Sequence, residues 1–249
     1  LPPPTGATRG SPEDLVALAH FGGATAMQTC DVNGAAERRA LAAAQLDVLV
    51  CVGFDRLFSP GVLDCFDFGL NAHPSPLPAW RGPSPIFWQA RQGVAHSAVT
   101  LHVLDAREDH GPLVAQAKFA LPPRATGDAL FRLAGAVAGR LLVEHLGRAH
   151  AGALHAQPQD HARATRAPRP RAEDVCIQPE HWRAEHLMNF ACAAPYFRTP
   201  WLHLGGDTFF VRRGIRVDVG ARLPGEFVSY GNCLAVACQD GVVHLEVQD

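Results

Sequence analysis

Hydrophobic and polar positions change rhythm repeatedly along this chain. Ser11-Pro12-Glu13-Asp14 reads as an N-cap, an N1 proline and an acidic first turn, predicting a short helix to about residue 20. Asn33 is placed to cap a second, alanine-rich helix over 34–45. Leu46-Asp47-Val48-Leu49-Val50-Cys51-Val52-Gly53 is almost continuously apolar, the pattern of a strand covered on both faces. A further strand is expected over 69–73, then a proline-rich loop over 74–85 and a helix over 86–92. Between 98 and 104, Val99, Leu101 and Val103 alternate with Thr100 and His102, which predicts a half-buried strand. Another extended stretch covers 113–119. Thr126-Gly127-Asp128 then caps a long helix with Leu130, Leu133, Val137, Leu141 and His145 on one face. Strands alternating with helices predict an α/β unit with a parallel or mixed sheet.

The rhythm then lapses. Residues 151–173 are rich in Ala, Gln, Pro and Arg (Arg163, Arg166, Arg169, Arg171) without apolar periodicity, as expected of a solvated linker. Beyond it come one helix over 179–192 and five short strand-like runs at 209–212, 215–219, 225–228, 233–238 and 242–247. Turn signals such as Arg213-Gly214 and Asp240-Gly241 separate them, predicting a small antiparallel barrel. The division is therefore 1–150, a linker at 151–173, and 174–249.

Composition narrows the classes. With 249 residues, 47% apolar and 18% charged, the chain can build a sizeable core, which sets aside disorder and disulfide-stapled miniproteins. No apolar run approaches the roughly 20 residues of a membrane span, so a soluble protein with no membrane partner is expected. Lys118 is the only lysine, and 22 basic against 24 acidic residues leave a net charge of -2, which disfavours a partner held mainly by phosphate contacts. The seven cysteines form no CxxC pair, which points to a reducing, cytoplasmic setting and to no metal site.

The densest chemistry lies between Asn71 and Gly111. Asn71 and His73 stand two apart on a strand, so both project to one face at its carboxyl end, where open α/β sheets place ligands. An amide donor beside an imidazole suits stabilisation of an oxyanion with a proton acceptor at hand. Asp109, before Gly111, adds a carboxylate from the next strand's loop. Taken singly, each is more often structural hydrogen bonding or turn chemistry than catalysis.

Together, N-x-H-P-S-x-L-P (71–78), R-G-x-x-P (81–85) and D-x-G (109–111) resemble the folate-dependent formyltransferases. That family includes enzymes acting on methionyl-tRNA, glycinamide ribonucleotide and sugar nucleotides. Leu223-Pro224-Gly225-Glu226-Phe227-Val228, residues 234–241, and Ala164-Thr165-Arg166-Ala167-Pro168 resemble its tRNA-directed branch. The resemblance implies a Rossmann-like catalytic domain followed by a small OB-like barrel. It implies 10-formyltetrahydrofolate as co-substrate and direct attack by an amine, with no metal. Asn71, His73 and Asp109 become the catalytic residues, Asp109 with a carboxyl raised by burial. Phe54, Arg56, Leu57, Phe58, Leu104, Asp105 and Ala106 become the folate-binding set. Ser75, Trp80, Arg81 and His110 are assigned to the acceptor side, Ser75 as a hydrogen bonder rather than a nucleophile.

Three departures accompany the resemblance. Family members carry a strand and helix before the point where this chain starts, so about forty upstream residues are expected. His110 replaces a usual threonine or alanine, and Pro112 follows the glycine. Where the tRNA-directed branch has a basic loop, residues 1–12 carry only Arg9. The segment from Glu173 to Asp249 holds six arginines against ten acidic residues. That balance favours a small-molecule or peptide-like amine as acceptor over tRNA. Methionyl-tRNA formylation, hydrolysis of the formyl-folate, and a non-catalytic folate-binding or assembly module are the alternatives.

Overall fold

The computed structural model describes residues 12–54 and 56–248, so the cap assigned to Ser11 and the segment around Arg9 lie outside the described residues. Its first half is a mixed sheet in the order β1 (Val48–Val52), β2 (Phe68–His73), β3 (His96–Val103), β4 (Leu113–Ala120). β1 and β2 are parallel, joined by a crossover containing α3 (Pro60–Leu63), whereas β2, β3 and β4 run antiparallel. Before them come α1 (Pro12–Phe21) and α2 (Ala35–Ala43).

Two expectations need correction here. β1 is an edge strand, with Val50 40% and Val52 53% exposed, so its apolar run is not covered on both faces. β3 is buried along nearly its whole length, Thr100 and His102 included. Its polar face is roofed by the proline-rich loop. Thr100 Oγ1 donates to the Ser75 carbonyl at 2.6 Å and accepts the Leu77 N–H at 3.2 Å, so an alternating pattern here marks a hydrogen-bonded interior rather than solvent.

α5 (Gly127–His150) packs on this sheet through Leu130, Val137 and Leu141, and Thr126 caps it by accepting the Ala129 N–H at 3.2 Å. Each such buried aliphatic side chain contributes about 1.5–3 kcal/mol. α4 (Pro85–Arg91) faces both halves. Its Ile86 lies in the first core, while Phe87 sits in the second beside Phe190 of α6 (Ala184–Ala193).

The C-terminal sheet is antiparallel in the order β5 (Trp201–Leu204), β6 (Asp207–Val219), β9 (Gly241–Gln248), β8 (Cys233–Cys238), β7 (Phe227–Tyr230). It curls: a Cβ on Gly205, at the β5–β6 turn, would stand 2.9 Å from the Phe227 ring of β7. Among the described residues no ladder joins β7 to β5, so the strands form an open curl rather than a closed ring. β6 is one strand of 13 residues where two were expected. Arg213-Gly214 is not a turn but the site of ladder irregularities, where Met188 packs so close that a Cβ on Gly214 would stand 2.4 Å from its Sδ. All seven cysteines are free, and no helix among the described residues is long and apolar enough to cross a membrane.

Candidate active site

β2 delivers Asn71 and His73 to one end of the sheet, and the β3–β4 loop brings Asp109 back over them. That loop can turn only because residue 111 is glycine: a Cβ would fall 1.9 Å from the Val103 carbonyl oxygen. Asp109 itself sits in the left-handed region at φ 45°.

The three side chains meet as the sequence predicts. Asn71 Nδ2 donates to Asp109 Oδ1 at 3.1 Å, and His73 Nδ1 stands 3.5 Å from the same oxygen. Asp109 Oδ2 accepts the Gly82 N–H at 2.7 Å. His73 Nε2 lies 2.9 Å from the Trp80 carbonyl oxygen, which can only accept; the proton therefore resides on Nε2, and Nδ1 carries the lone pair.

A fourth member was not anticipated. His102, directly opposite Asn71 in the β2–β3 register, is fully buried, with Nδ1 2.9 Å from the Val103 carbonyl and Nε2 3.0 Å from Asn71 Nδ2. By the same reasoning Nδ1 holds the proton and Nε2 accepts. Both amide hydrogens of Asn71 are thus occupied, one by His102 and one by Asp109. The available signal was the antiparallel pairing of Asn71 with a polar strand position, which requires knowing the register.

Electrostatics differ from expectation at Asp109. Burial pushes its carboxyl up, but the His102 imidazole 3.4 Å away, the nearby His73 and the Gly82 N–H together outweigh burial and hold it below the ordinary aspartate range. Burial acts on His73 in the opposite sense to the Asp109 charge and prevails, lowering its pKa. The ionised carboxylate therefore faces a neutral imidazole at neutral pH. Cys51, beneath Asn71 on β1, has its thiol pushed up to about 11 by burial and the Asp109 charge, so it offers no thiolate nucleophile.

A cavity of about 240 Å³ opens beside this cluster. Phe54, Arg56, Leu57, Phe58, Leu104 and Asp105 line it with Asn71, His73 and Asp109, whereas Ala106 is not in its wall. Phe54 and Phe58 stack at 4.8 Å. Asn33 does not cap α2, whose N-cap is Gly34; its side chain instead donates to the Leu57 carbonyl at 3.0 Å and accepts the Ser59 N–H at 2.7 Å, pinning this wall. Arg107, Glu108 and Phe131 also line it, side chains that the sequence pattern does not single out.

The four acceptor-side residues do not line the cavity. Ser75 is wholly buried and donates to the Ala79 carbonyl at 2.7 Å, a bond that shapes the loop. Trp80 supplies the carbonyl that orients His73. Arg81 Nη2 reaches Gln159 Oε1 at 2.6 Å and His161 Nδ1 at 2.9 Å. His110 stacks on His161 at 4.1 Å and bonds Asp105 at 2.7 Å. Arg81 and His110 therefore both contact the connector.

Comparison with known proteins places the chain among relatives in sequence and in fold. The formyl transferase family model matches residues 16–146, and the chain belongs to the folate-dependent formyltransferase family. It is 35% identical over 205 residues to the methionyl-tRNA formyltransferase of Roseiflexus castenholzii, covering 80% of this chain and 64% of that protein. With the Chloroflexus aurantiacus methionyl-tRNA formyltransferase the identity is 34% over 223 residues, covering 84% and 68%. In fold it is similar to HypX from Aquifex aeolicus (TM-score 0.69, 17% identity, 93% of this chain and 42% of that one). It is also similar to the N-formyltransferase of Helicobacter canadensis, crystallised with folinic acid and dTDP-3-aminofucose (TM-score 0.67, 15% identity, 94% and 82%).

Proposed function

We propose that this chain transfers a formyl group from 10-formyltetrahydrofolate to a primary amine. The observation that carries the reading is the convergence of Asn71, His73 and Asp109 on one end of an aromatic-walled cavity. At about 240 Å³ it lies just under the range of about 300–1,000 Å³ usual for ligand pockets, which suits the ring end of a folate. Phe54, Leu57, Phe58 and Leu104 are the apolar wall for that ring, Arg56 and Asp105 its polar margin, and Ala106 a main-chain neighbour.

The co-substrate supplies the activated formyl carbon. Asn71 releases its bond to His102 and donates that hydrogen to the formyl oxygen as negative charge develops there. The amine nitrogen bonds to the formyl carbon and passes its proton to His73 Nδ1, whose new charge is offset by Asp109. Breaking the bond between that carbon and the folate nitrogen, which takes the proton back from His73 Nδ1, completes transfer without a covalent enzyme intermediate. In this reading Trp80, Arg81 and His110 shape the acceptor side indirectly, through His73 and the connector. We assign residues 1–150 to the catalytic unit, 151–173 to the connector and 174–249 to an OB-like module.

The acceptor has two supported readings. The acidic C-terminal segment, six arginines against ten carboxylates, favours a small or peptide-like amine. Relatedness to methionyl-tRNA formyltransferases favours methionyl-tRNA. Tetrahydrofolate formation measured with no acceptor, with methionyl-tRNA and with a panel of amines separates them. Formation only with methionyl-tRNA, falling steeply with salt, selects the second. Equal formation with no acceptor means hydrolysis and contradicts transfer, and neither turnover nor folate binding contradicts the whole reading.

A further inference from the structure

The connector between the two sheets reaches the active site. Gln157 exchanges both backbone hydrogen bonds with Leu113 at 2.8 Å, and the Arg81 backbone donates to the Thr165 carbonyl at 2.9 Å and accepts the Ala167 N–H at 2.7 Å. Between these pairings lies Gln159, 5% exposed. Its Nε2 donates to the carbonyl oxygens of Asp109 at 2.9 Å and Gly111 at 2.7 Å, while Oε1 accepts Arg81 Nη2 at 2.6 Å.

Those three bonds grip the two pieces of chain that hold the Asp109 carboxylate. One is the Asp109–Gly111 turn, where a non-glycine residue keeps φ at 45° only because its surroundings over-determine it. The other is the Arg81–Gly82 loop, whose N–H meets Asp109 Oδ2. Only a primary amide of this length offers two donors and an acceptor in one plane: glutamate lacks the donors and lysine the acceptor.

We propose that Gln159 is a positioning residue that, from the connector, fixes the turn aiming the Asp109 carboxylate at Asn71 and His73. The catalytic consequence rests on the formyl-transfer reading; the geometric one does not. The titratable groups facing Asp109 are His73 from β2, His102 from β3, Cys51 from β1 and Arg81 from the proline-rich loop. Without Gln159 the turn and the Gly82 N–H separate, and the carboxylate loses one of the contacts that hold its pKa down and its alignment with His102 and His73.

Gln159→Met removes all three bonds at similar volume, and Gln159→Glu keeps the acceptor for Arg81 while setting lone pairs against both carbonyls. In each chain the imidazole signals of His73 and His102 are followed by NMR from about pH 3 to about pH 8. The step reporting Asp109 protonation moves toward neutral by about one pH unit or more in both variants. Formyl transfer, measured with the acceptor used by the parent, falls about tenfold or more in kcat, with KM for 10-formyltetrahydrofolate changed by less than about twofold. An unmoved step in folded variants overturns the proposal. So does failure of both variants to fold, which makes Gln159 merely structural; if only Gln159→Met fails, Gln159→Glu decides. Because the titration needs no turnover, a parent chain without transferase activity contradicts the proposed function and still leaves this test readable.

Discussion

Asp109 Oδ2 accepts the backbone N–H of Gly82 at 2.7 Å, joining the proline-rich loop to the β3–β4 turn 27 residues away. With the His102 and His73 imidazoles, that backbone donor outweighs burial and holds the Asp109 carboxyl below the ordinary aspartate range.

Gly82 sits at φ 115°, and a Cβ there would lie 3.0 Å from the Ala167 carbonyl oxygen. Gly82→Ala is therefore expected to cost about 1–3 kcal/mol in urea unfolding and to lower activity with it. Gly135→Ala is the control. That glycine lies inside α5 with nothing near its Cβ, and alanine there should stabilise by about 0.5–1 kcal/mol.

Asn71→Ala should lower kcat by about 10²- to 10³-fold, the usual cost of losing an oxyanion donor. His102→Leu should be milder, about tenfold or less, because the His102 bond is the one given up when the amide turns to the formyl oxygen. Steady-state kinetics of both variants check this. Equal losses would mean that His102 itself touches the reacting atoms.

The apolar wall should act on binding. Phe54→Ala removes the stack on Phe58 and should raise KM for the folate roughly tenfold with kcat little changed. A fall in kcat of similar size would place Phe54 in the chemical step instead.

Acid stability carries the mark of His73. In the folded chain its pKa is depressed by burial, so below its unfolded pKa the unfolded chain binds a proton that the folded chain does not. Stability should fall as pH drops through about 6.5 and be insensitive to this group above it, with a slope of up to about 1.4 kcal/mol per pH unit. Urea midpoints at about pH 5.5 and about pH 7.5, compared with His73→Gln, isolate it from the other histidines. The variant should lose part of that slope.

How far the sequence speaks depends on the distance over which a residue acts. Asn71 and His73 were legible because a strand's period of two puts them on one face, and Asp109 because a carboxylate before a glycine followed the next strand. His102 was not, since its role needs the β2–β3 register, and its alternation with Leu101 and Val103 reads as a solvated face. Asn33 looks like a helix cap until Leu57 and Ser59 are known to lie beside it. Gln159 hides in a connector without periodicity. The direction of the Asp109 shift is illegible for the same reason: burial is local, while the His102, His73 and Gly82 contacts that oppose it are brought in by the fold. Among the strands, Arg213-Gly214 reads as a turn but serves as an irregularity within β6, because glycine marks both a turn and a close approach.

The central claim is tested most directly by the fate of the formyl carbon. With 10-formyltetrahydrofolate labelled at that carbon by ¹³C, mass spectrometry of the acceptor after incubation should show the label on an amine nitrogen, and Asn71→Ala should slow its appearance by about 10²- to 10³-fold. Label recovered only as formate, or transfer at the parent rate by Asn71→Ala, would contradict the account.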